Sequence, residues 1–567
     1  MPTFRLPLST PYNTRFGAST TDTTSAIAGV AMAGVAIAGK PTTAASKDGM
    51  LVNCMSITSA KGREKVICAV PRPGWETHTT PSAGNLASAI LIWTGNGAGD
   101  KVITAFGATS TIFDGTASLG AITGRCTGIT ETITATNKTT IVMSSSDQSG
   151  WYMPSDATSD AFTGNTTSGS AVVAAVSTVV GRYTGQAITG AGIPAGTRIL
   201  TVGADTITMT ANATATATAV SITPARLARI IDVDFPGNVV GTTLVGTFAH
   251  IDGFAVIMTS LGVLWASELN TLTGWVATSF DSANAYPDLG VGLVRHKNFV
   301  MAFGTESTQF FYNSGLTPFP LSKSASMTNK VGAVHADAIT SVSDIIFFAG
   351  TTPQGGISVF QYDGQLAKVS TPEIDSFLVL NGSTGITLTS LRFYGRTFAI
   401  INTGNYSLIY CVEEKKWHEW GATNKLWFRC VGASIGGTLL NYCISNTVAG
   451  GKVYKMDQAA FVYTDDGVAI SFKINLPNDD FGTARKKYFS DIELIADIES
   501  GSCEMEISYT DDDFKTFTSL GTVNLHTARP RLTRAGSSRK RGWQLTSSSA
   551  TKFRIEALSG TYEIGSS

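Results

Sequence analysis

Residues 253–267 read GFAVIMTSLGVLWAS, which is an apolar run, a Ser-Leu-Gly turn and a second apolar run that carries a tryptophan. The same order of strand, turn and aromatic strand returns at residues 298–312 (NFVMAFGTESTQFFY) and 344–364. It returns again at residues 396–420 and 437–457. Short apolar runs bounded by Gly, Asn and Ser predict antiparallel hairpins. We therefore expect a chain built from repeated units of paired short strands.

The units recur at an interval that is typical of one architecture. Their first strands contain Phe254, Phe299, Ile345, Phe398 and Leu440, which are 45, 46, 53 and 42 residues apart. A period of about 40 to 50 residues with several strands per unit is typical of a β-propeller, in which small sheets pack face to face around an axis. At about 45 residues per blade, the repetitive part of the chain has room for about seven blades. The predicted fold class is all-β.

The composition agrees with this fold class and argues against some functions. The 567 residues include 58 glycines, and only 15% are charged, against about 25% in an average soluble protein. The 41 Lys and Arg residues balance 42 Asp and Glu residues, which leaves a net charge of −1. Chromatin proteins and free nucleic-acid binders usually carry a clear basic excess. We therefore do not expect this chain to be one of them.

Changes in composition along the chain predict five segments. Residues 161–223 are almost without charge and alternate apolar residues with Thr, which predicts an inserted β-sandwich module. The last hundred residues are richer in charge and alternate at period two, which predicts a separate antiparallel β-domain. The segments are 1–63 (an N-terminal extension), 64–160 and 224–464 (two parts of the propeller), 161–223 (the inserted module) and 465–567 (the C-terminal domain).

The N-terminal extension contains an apolar stretch of small residues at 26–39 (AIAGVAMAGVAIAG). Its 14 residues are fewer than the roughly 20 that a membrane-spanning helix needs. The first residues lack a basic region followed by an apolar run, so they do not match a signal peptide. We expect this stretch to pack against protein.

Residues that could carry chemistry are scattered along the chain. Seven widely spaced cysteines without a CxxC pair predict buried free thiols, and six histidines without an HxxxH or HxH pair predict no zinc site. Glycosidase chemistry needs two carboxylates facing across a cleft, and no spacing singles out such a pair. The acidic residues considered are Asp363, Glu373, Glu413, Glu414 and Glu419. We therefore predict no catalytic residues, no cofactor-binding residues and no metal ligands.

Two local patterns resemble binding sites, but each has a simpler explanation. The acidic run at 511–513 lacks the alternating ligands and the glycine of a calcium-binding EF-hand loop, so a solvated hairpin turn is favoured. Residues 510–517 (TDDDFKTF) are similar to the Asp-box hairpin of sialidases, although Phe514 replaces the expected glycine. The aromatic group Trp417, Trp420, Trp427 and Phe428 is interpreted as blade core and not as a sugar platform.

The densest basic cluster lies close to the C-terminal end of the sequence. These six positive charges could contact an acidic partner surface or a neighbouring subunit. They could also form a solvated strand edge that discourages strand addition, or bind DNA phosphates. The candidate assembly contacts are Arg529, Arg531, Arg534, Arg539, Lys540 and Arg541.

Several motifs together resemble one family, the tail hub or nozzle proteins of short-tailed bacteriophages, also called packaged-DNA stabilisation proteins. Residues 47–54 (KDGMLVNC) followed by the Arg-Pro-Gly turn at 72–74 are similar to the opening of that family. Its Gly-rich strand, Phe-Gly strand and Ser-Thr aromatic strand match residues 287–292, 296–304 and 307–312 in the same order. The closing domain is similar at 507–511 and 553–555, whereas segments 20–46 and 161–223 depart from the family.

This resemblance implies a virion protein that forms a homo-oligomeric ring of six copies below the portal and its adaptor. The ring would continue the DNA channel and hold packaged double-stranded DNA until ejection, without reading its sequence. Implied partners are the head-to-tail connector protein, tail fibre, spike or needle proteins, and the host envelope at ejection. The chain would be made in the host cytoplasm and located in the phage tail. The alternatives are a receptor-binding or glycan-degrading tail propeller, and a free propeller scaffold.

Overall fold

The computed structural model describes most of the chain. The apolar stretch 26–39 and Trp427 lie outside the described residues, so their interpretations rest on sequence alone. The described residues are 3–7, 50–61, 64–94, 100–133, 139–342, 344–351, 355–381, 385–403, 406–421, 428–435, 438–447 and 450–565.

Five strands precede the repeated units, and blades 1 and 2 with the inserted module follow. The first five are β1 (Thr3–Pro7), β2 (Met50–Val52), β3 (Cys54–Lys61), β4 (Glu64–Pro71) and β5 (Glu76–Thr79). Blade 1 contains β6 (Ala87–Trp93), β7 (Lys101–Phe106), β8 (Thr111–Asp114) and β9 (Ala117–Ala121). Blade 2 begins with β10 (Cys126–Ile133), β11 (Thr139–Ser145) and β12 (Gly150–Pro154). The inserted module contains β13 (Phe162–Thr166), β14 (Val172–Val173), β15 (Gln186–Gly190), β16 (Ile199–Val202), β17 (Ile207–Met209) and β18 (Ala217–Arg229).

Blades 3 to 7 follow in chain order. Blade 3 contains β19 (Leu244–Ile251), β20 (Phe254–Thr259), β21 (Val263–Ser267) and β22 (Trp275–Ser282). Blade 4 contains β23 (Gly290–His296), β24 (Phe299–Gly304), β25 (Thr308–Asn313) and β26 (Leu321–Lys323). Blade 5 contains β27 (Gly332–Ala333), β28 (Ile339–Val342), β29 (Ile345–Thr351), β30 (Ile357–Tyr362) and β31 (Leu366–Lys368), and helix α1 (Pro372–Asn381) comes after it. Blade 6 contains β32 (Thr387–Phe393), β33 (Arg396–Asn402), β34 (Ser407–Cys411) and β35 (Lys416–Trp420), and blade 7 begins with β36 (Arg429–Ile435), β37 (Thr438–Ile444) and β38 (Val453–Asp457).

The remaining strands follow blade 7. Two single-turn 3-10 helices lie between blades and a third lies within blade 5. The strands are β39 (Thr464–Asp465), β40 (Val468–Ala469), β41 (Phe472–Asp479), β42 (Lys487–Ala496), β43 (Glu504–Thr510), β44 (Thr518–Asn524), β45 (Arg531–Thr533), β46 (Ser537–Ser538), β47 (Arg541–Ser547) and β48 (Ile555–Ile564). The 3-10 helices are Pro236–Asn238, Ala325–Met327 and Ala336–Ala338. Among the described residues, no helix has the length and hydropathy needed to cross a membrane.

The blades close into a seven-membered ring. The first strands of adjacent blades contact one another in the order β6, β10, β19 and β23, and again in the order β28, β32, β36 and β6. Blades 4 and 5 meet through β24 and β27. The early strand β5 pairs with β38 and supplies the fourth strand of blade 7, which closes the ring with a strand from the other end of the propeller sequence. The predicted all-β propeller of about seven blades is confirmed.

Apolar side chains on both faces of each blade hold the ring together. Each pair of neighbouring blades shares its own buried cluster, because a small antiparallel sheet cannot bury two apolar faces alone. Between blades 4 and 5, the rings of Phe303 and Phe348 meet edge to face at 5.0 Å. Between blades 7 and 1, Phe428 and Tyr442 pack with Phe106. Trp417 and Trp420 are also buried in blade cores, as their sequence context predicts.

The inserted module has a core of its own but is continuous with blade 2. Phe162, Ile199 and Ile222 belong to its separate apolar cluster. The long strand β18 pairs with β13 and β15 inside the module, and its last residues pair with β12 as the fourth strand of blade 2. The guanidinium of Arg198 lies 5.1 Å from the ring of Trp151 in blade 2. The module is therefore docked on the outer edge of the propeller.

The C-terminal domain is a β-sandwich that contains strands from both ends of the described chain. One sheet has the order β3-β4-β48-β42-β45 with β1 and β46 beside it, and the other has the order β2-β41-β47-β43-β44. Their facing side chains form one large core that includes Leu51, Cys54 and Trp543. Strand β2 also pairs with β35, which joins the second sheet to blade 6.

This arrangement corrects two predicted boundaries. Residue 64 was expected to start the propeller, but β4 pairs with β3 and with β48 of the sandwich, so blade strands begin only at β5. The domain predicted for residues 465–567 is likewise incomplete without β2, β3 and β4. Period-two alternation identifies a strand but does not identify its partner, and here the partner lies at the far end of the sequence.

Candidate assembly sites

The basic cluster surrounds an edge strand of the sandwich. Strand β45 pairs on one side with β42, so that Arg531 lies opposite Glu493. Nε and Nη2 of Arg529 donate to the two oxygens of Glu493 at 3.0 and 2.8 Å, and the Arg529 side chain remains 72% exposed. These hydrogen bonds lower the pKa of the Glu493 carboxyl. Part of the positive charge is therefore already paired within the chain.

Arg541 does not belong to the accessible cluster. It is 1% exposed, and its Nε and Nη2 each donate to a carboxylate oxygen of Asp511 at 2.7 Å. Its guanidinium also donates to the carbonyl of Ala535 and lies 3.9 Å from the ring centroid of Tyr509. The prediction that Arg541 makes an assembly contact is wrong, because a buried guanidinium with internal partners cannot meet another protein.

Three arginines of the cluster present unpaired charge to solvent. Arg531, Arg534 and Arg539 are exposed, and no ion pair links them to a carboxylate in the part of the chain that the structure describes. Lys540 is also exposed, with Nζ 3.4 Å from Asp513. A short charged edge strand resists strand addition, and the same side chains are available to an acidic partner. The exposed charges are consistent with a protected strand edge, with a contact to an acidic partner and with binding of DNA phosphates.

The acidic run beside the cluster is a hairpin turn held by one carboxylate. Asp512 accepts hydrogen bonds from the backbone N–H of Lys515 and Thr516 at 3.0 and 2.9 Å. The hydroxyls of Thr510 and Thr516 donate to the same carboxylate at 2.9 and 2.6 Å. These donors, Thr516 first, lower the pKa of Asp512 to about 2. The carboxylate is therefore used to organise the turn.

The carboxylates considered for glycosidase chemistry do not form a facing pair. The backbone N–H of Thr397 donates to both carboxylate oxygens of Glu413, each at 2.9 Å. Glu414 forms an ion pair with Arg396 at 3.0 Å. Glu419 lies buried on β35, Asp363 lies in the turn after β30, and Glu373 lies in the first turn of α1. No group of three or more His, Cys, Asp or Glu side chains suited to a metal occurs among the described residues.

All seven cysteines are buried free thiols. Burial raises the pKa of the Cys126 thiol to about 12 and that of Cys411 to about 11. Thiols with such values remain protonated and behave as small apolar side chains. This outcome agrees with the interpretation of their scattered spacing.

A buried junction joins the propeller to the sandwich, and it uses the motifs at 47–54 and 72–74. Arg72 is fully buried and bonds to both oxygens of Asp465, at 3.0 Å from Nη1 and 2.5 Å from Nη2. Its Nε donates to Oδ1 of Asn53 at 2.9 Å, and Nδ2 of Asn53 donates to the carbonyl of Ser471 at 2.7 Å. The guanidinium lies 5.6 Å from the ring of Trp420 in blade 6.

The Arg-Pro-Gly turn brings the chain from the sandwich into blade 7. The N–H of Gly74 donates to the carbonyl of Val462 at 2.7 Å, and the N–H of Trp75 donates to that of Thr464 at 3.0 Å. A Cβ on Gly74 would lie 2.0 Å from the Thr464 carbonyl oxygen, so this position requires glycine. Sequence reasoning did not single out Asp465. An Asp-Asp-Gly turn at the start of the C-terminal domain was the signal for it.

The second motif, at 287–312, is explained by a turn in blade 4. Oδ2 of Asp288 accepts the backbone N–H groups of Glu306 and Ser307 at 2.9 and 2.8 Å, and the Ser307 hydroxyl donates at 3.0 Å. A Cβ on Gly304 would lie 2.2 Å from that carboxylate oxygen. Asp288, Gly304 and Ser307 thus form one structural unit that fixes the turn.

A cavity of about 740 Å³ is lined by residues of blades 1, 5, 6 and 7. Its walls include the apolar side chains of Ile92, Val342 and Leu391 and the polar side chains of Arg392 and Asn441. The first strands of blades 3 and 4 are neighbours in the ring, and a Cβ on Gly246 would lie 3.1 Å from the Cα of Gly292.

The fold and these sites define a class of protein. It has a closed seven-bladed propeller with a docked β-sandwich, and the polar residues of its motifs hold turns and the junction between the two domains. The family model described as bacteriophage P22 Gp10, β-propeller, matches residues 137–427, and the chain belongs to this family. The match runs from the end of β10 through blade 6. The chain is therefore a bacteriophage structural β-propeller protein of the tail and DNA-stabilisation class and a component of the virion. No curated protein matches it.

Several solved structures are similar to this chain at low identity. The extracellular domain of a one-component system protein from B. thetaiotaomicron has 10% identity and a TM-score of 0.36, with 74% of this chain and 43% of that chain covered. BamB from Moraxella catarrhalis has 8% identity and a TM-score of 0.33, with 72% and 97% covered. An exo-β-1,3-galactanase from Phanerochaete chrysosporium has 8% identity and a TM-score of 0.21, with 57% and 95% covered. These similarities carry no argument about function.

Proposed function

We propose that the chain is a subunit of the tail nozzle or hub. Copies of it form a ring, six in number as the family resemblance implies, below the portal and adaptor. The ring continues the DNA channel and retains packaged DNA until ejection. The observation that carries this proposal is the family match across the blades of a closed propeller. In this proposed ring, the DNA path runs along the axis of the ring, between subunits.

Charge supports a conduit in which DNA slides. The net charge of −1 provides no broad basic excess to hold phosphates, so the affinity of one chain for DNA is weak and sensitive to salt. Retention then depends on steric closure of a ring, which needs specific contacts under a closed cyclic symmetry. The exposed part of the basic cluster, Arg529, Arg531, Arg534, Arg539 and Lys540, provides candidate contacts with acidic surface on a neighbouring subunit or on the adaptor. Tail fibre, spike or needle proteins and the host envelope are the further partners.

Class averages of tails carrying charge-reversed chains test this function. Arg531→Glu, Arg534→Glu and Arg539→Glu together are expected to yield folded protein that fails to join tails, and particles that package DNA and then leak it. The matched control reverses three exposed charges on the propeller, Arg125→Glu, Lys297→Glu and Lys330→Glu, and is expected to assemble. Wild-type tails without a ring of this chain would refute the function. Normal tails from the Arg531, Arg534 and Arg539 variant would refute only the contact.

The alternative function, a receptor-binding or glycan-degrading tail propeller, makes a different demand on the molecule. It needs a carboxylate pair and an aromatic platform in one pocket. Trp417 and Trp420 are buried instead, and the candidate carboxylates do not form a facing pair. Glu413 and Glu414 lie in one turn and are bonded to residues of β33, and Glu419 is buried on β35. Turnover of host polysaccharide by the purified chain would favour this alternative over the nozzle.

A further inference from the structure

We propose that strand β1 is exchanged between neighbouring copies, so that β1 of one chain adds to β48 of the next. This inference rests on the proposed ring, because exchange needs a second copy close by. The strand, its acceptor and the length of chain between β1 and β2 support it.

Strand β48 offers an edge that β1 alone covers. Along one side, β48 pairs with β42 from Lys487↔Ile564 to Ala496↔Ile555. On its other side, β4 pairs with it only at Ala69↔Ile555. Beyond that point β1 takes over, with five antiparallel pairs from Pro7↔Ala557 to Thr3↔Thr561. Without β1, this stretch of β48 would be an open edge that accepts an extended segment.

Strand β1 is attached to the sandwich through this pairing. Among the described residues, β48 is the only strand that pairs with β1. The next described residue along the chain is Met50, at the start of β2 in the opposite sheet. Residues 8–49 therefore connect the two strands. Backbone pairing, and not a short covalent connection, determines where β1 lies.

The connection is long enough to reach a neighbouring copy. The 42 residues from 8 to 49 can span at most about 140 Å. A small domain is about 30 Å across. The hydrogen bonds between β1 and β48 are the same within one chain and between two chains, so exchange loses no pairing. In a ring the acceptor is held close by, and each exchanged strand ties two subunits together.

Cysteine cross-linking across the β1–β48 register tests the exchange. Arg5 and Ser559 are directly opposite partners, so Arg5→Cys and Ser559→Cys place two thiols across the pair. The seven natural cysteines are buried and give a low background. Chains that carry only Arg5→Cys are mixed with chains that carry only Ser559→Cys, assembled into tails and oxidised with diamide. Covalent dimers of the two chains on a non-reducing gel are the expected result.

Two controls make the outcome decisive. Arg5→Cys mixed with Thr533→Cys, on the opposite edge of the same sheet, is expected to give no dimer. The double variant carries Arg5→Cys and Ser559→Cys in one chain. If the mixture gives no covalent dimer, this variant shows whether β1 pairs with β48 of its own chain. Intact rings in which this double variant forms only intramolecular disulfides, or no disulfide at all, would overturn the exchange and leave the ring in place. Absence of rings from wild-type tails would overturn the proposed function itself.

Discussion

Arg72 and Arg529 each bond to a carboxylate through two guanidinium nitrogens, but the two ion pairs have different roles. Arg72 is fully buried and also bonds to Asn53, at the meeting point of blade 6, blade 7 and the sandwich. Arg529 is 72% exposed on the edge of the sandwich. A buried pair is costly to break because removing one partner leaves an unpaired charge, whereas an exposed pair contributes little. The first site holds the fold together, and the second is available for a partner.

The comparison also separates sequence clusters from structural sites. Arg541 and Arg539 are two residues apart, but Arg541 is buried against Asp511 and Arg539 is exposed. Arg72 and Asp465 are far apart in sequence, and they form one ion pair. Charge density along the chain is therefore a weak guide to which charges are free.

The largest expected effect comes from breaking the buried junction. Arg72→Ala leaves the Asp465 carboxylate without its guanidinium, and we expect a loss of about 3 to 5 kcal/mol in the free energy of unfolding. Urea unfolding followed by tryptophan fluorescence measures it, since Trp420 lies beside Arg72. The control, Arg529→Ala, should cost about 1 kcal/mol or less. Equal losses in the two variants would show that the junction is not essential.

A second expected effect concerns His418. Its imidazole is buried and titratable, but within the described ranges no carboxylate bonds to it as Asp465 bonds to Arg72. Burial lowers the pKa of His418 from 6.5 to about 3, and among the described residues neither ring nitrogen has a hydrogen-bond partner. The unfolded chain binds the proton first, so stability is lost as the pH falls from 6.5 towards 3, by at most about 1.4 kcal/mol per pH unit. His418→Asn should reduce this slope. Thermal melting at pH 7, 6 and 5 measures it.

A smaller effect is expected at the acidic turn. The folded pKa of Asp512 lies near 2, below its ordinary value of 3.8, so its stabilising effect is present above pH 4 and is lost as the pH falls through 2. Asp512→Asn should lower the melting temperature at neutral pH. Between pH 4 and 2, this variant should lose less stability than the wild type. Asp513→Asn is the neighbouring control, since Asp513 is exposed and accepts hydrogen bonds from Nζ of Lys540 and Nδ2 of Asn478. Identical acid profiles for wild type and Asp512→Asn would contradict the role assigned to this carboxylate.

The smallest expected effect is on the exposed arginines. Arg531→Ala, Arg534→Ala and Arg539→Ala should each change the free energy of unfolding by less than about 0.5 kcal/mol, because their charges are solvated. Chemical denaturation of the isolated chain measures this. A loss above about 1 kcal/mol at any of the three would mean that the residue supports the fold and is not free for assembly.

The repeated hairpins were enough to predict the propeller and an approximate number of blades, about seven, with six or eight left open. Alternation and a period of about 45 residues are local properties, and blades 1 and 3 to 6 form from strands that follow one another directly in sequence. The same reasoning explains why the buried thiols and the core tryptophans of blade 6 were predicted correctly. Their apolar context is local too.

Local sequence patterns could not predict how the ring closes or which strands form the sandwich. They also could not predict which residues of the basic cluster are exposed. Strand β5 joins β38, β4 joins β48, and Arg72 joins Asp465, and each of these pairs links distant parts of the chain. A strand pattern shows which side chains are buried but not which strand lies beside it, and a charged residue shows its sign but not its neighbour. Those choices depend on packing the whole chain around its cores, and that is why Arg541 became part of the interior while Arg529 stayed at the surface.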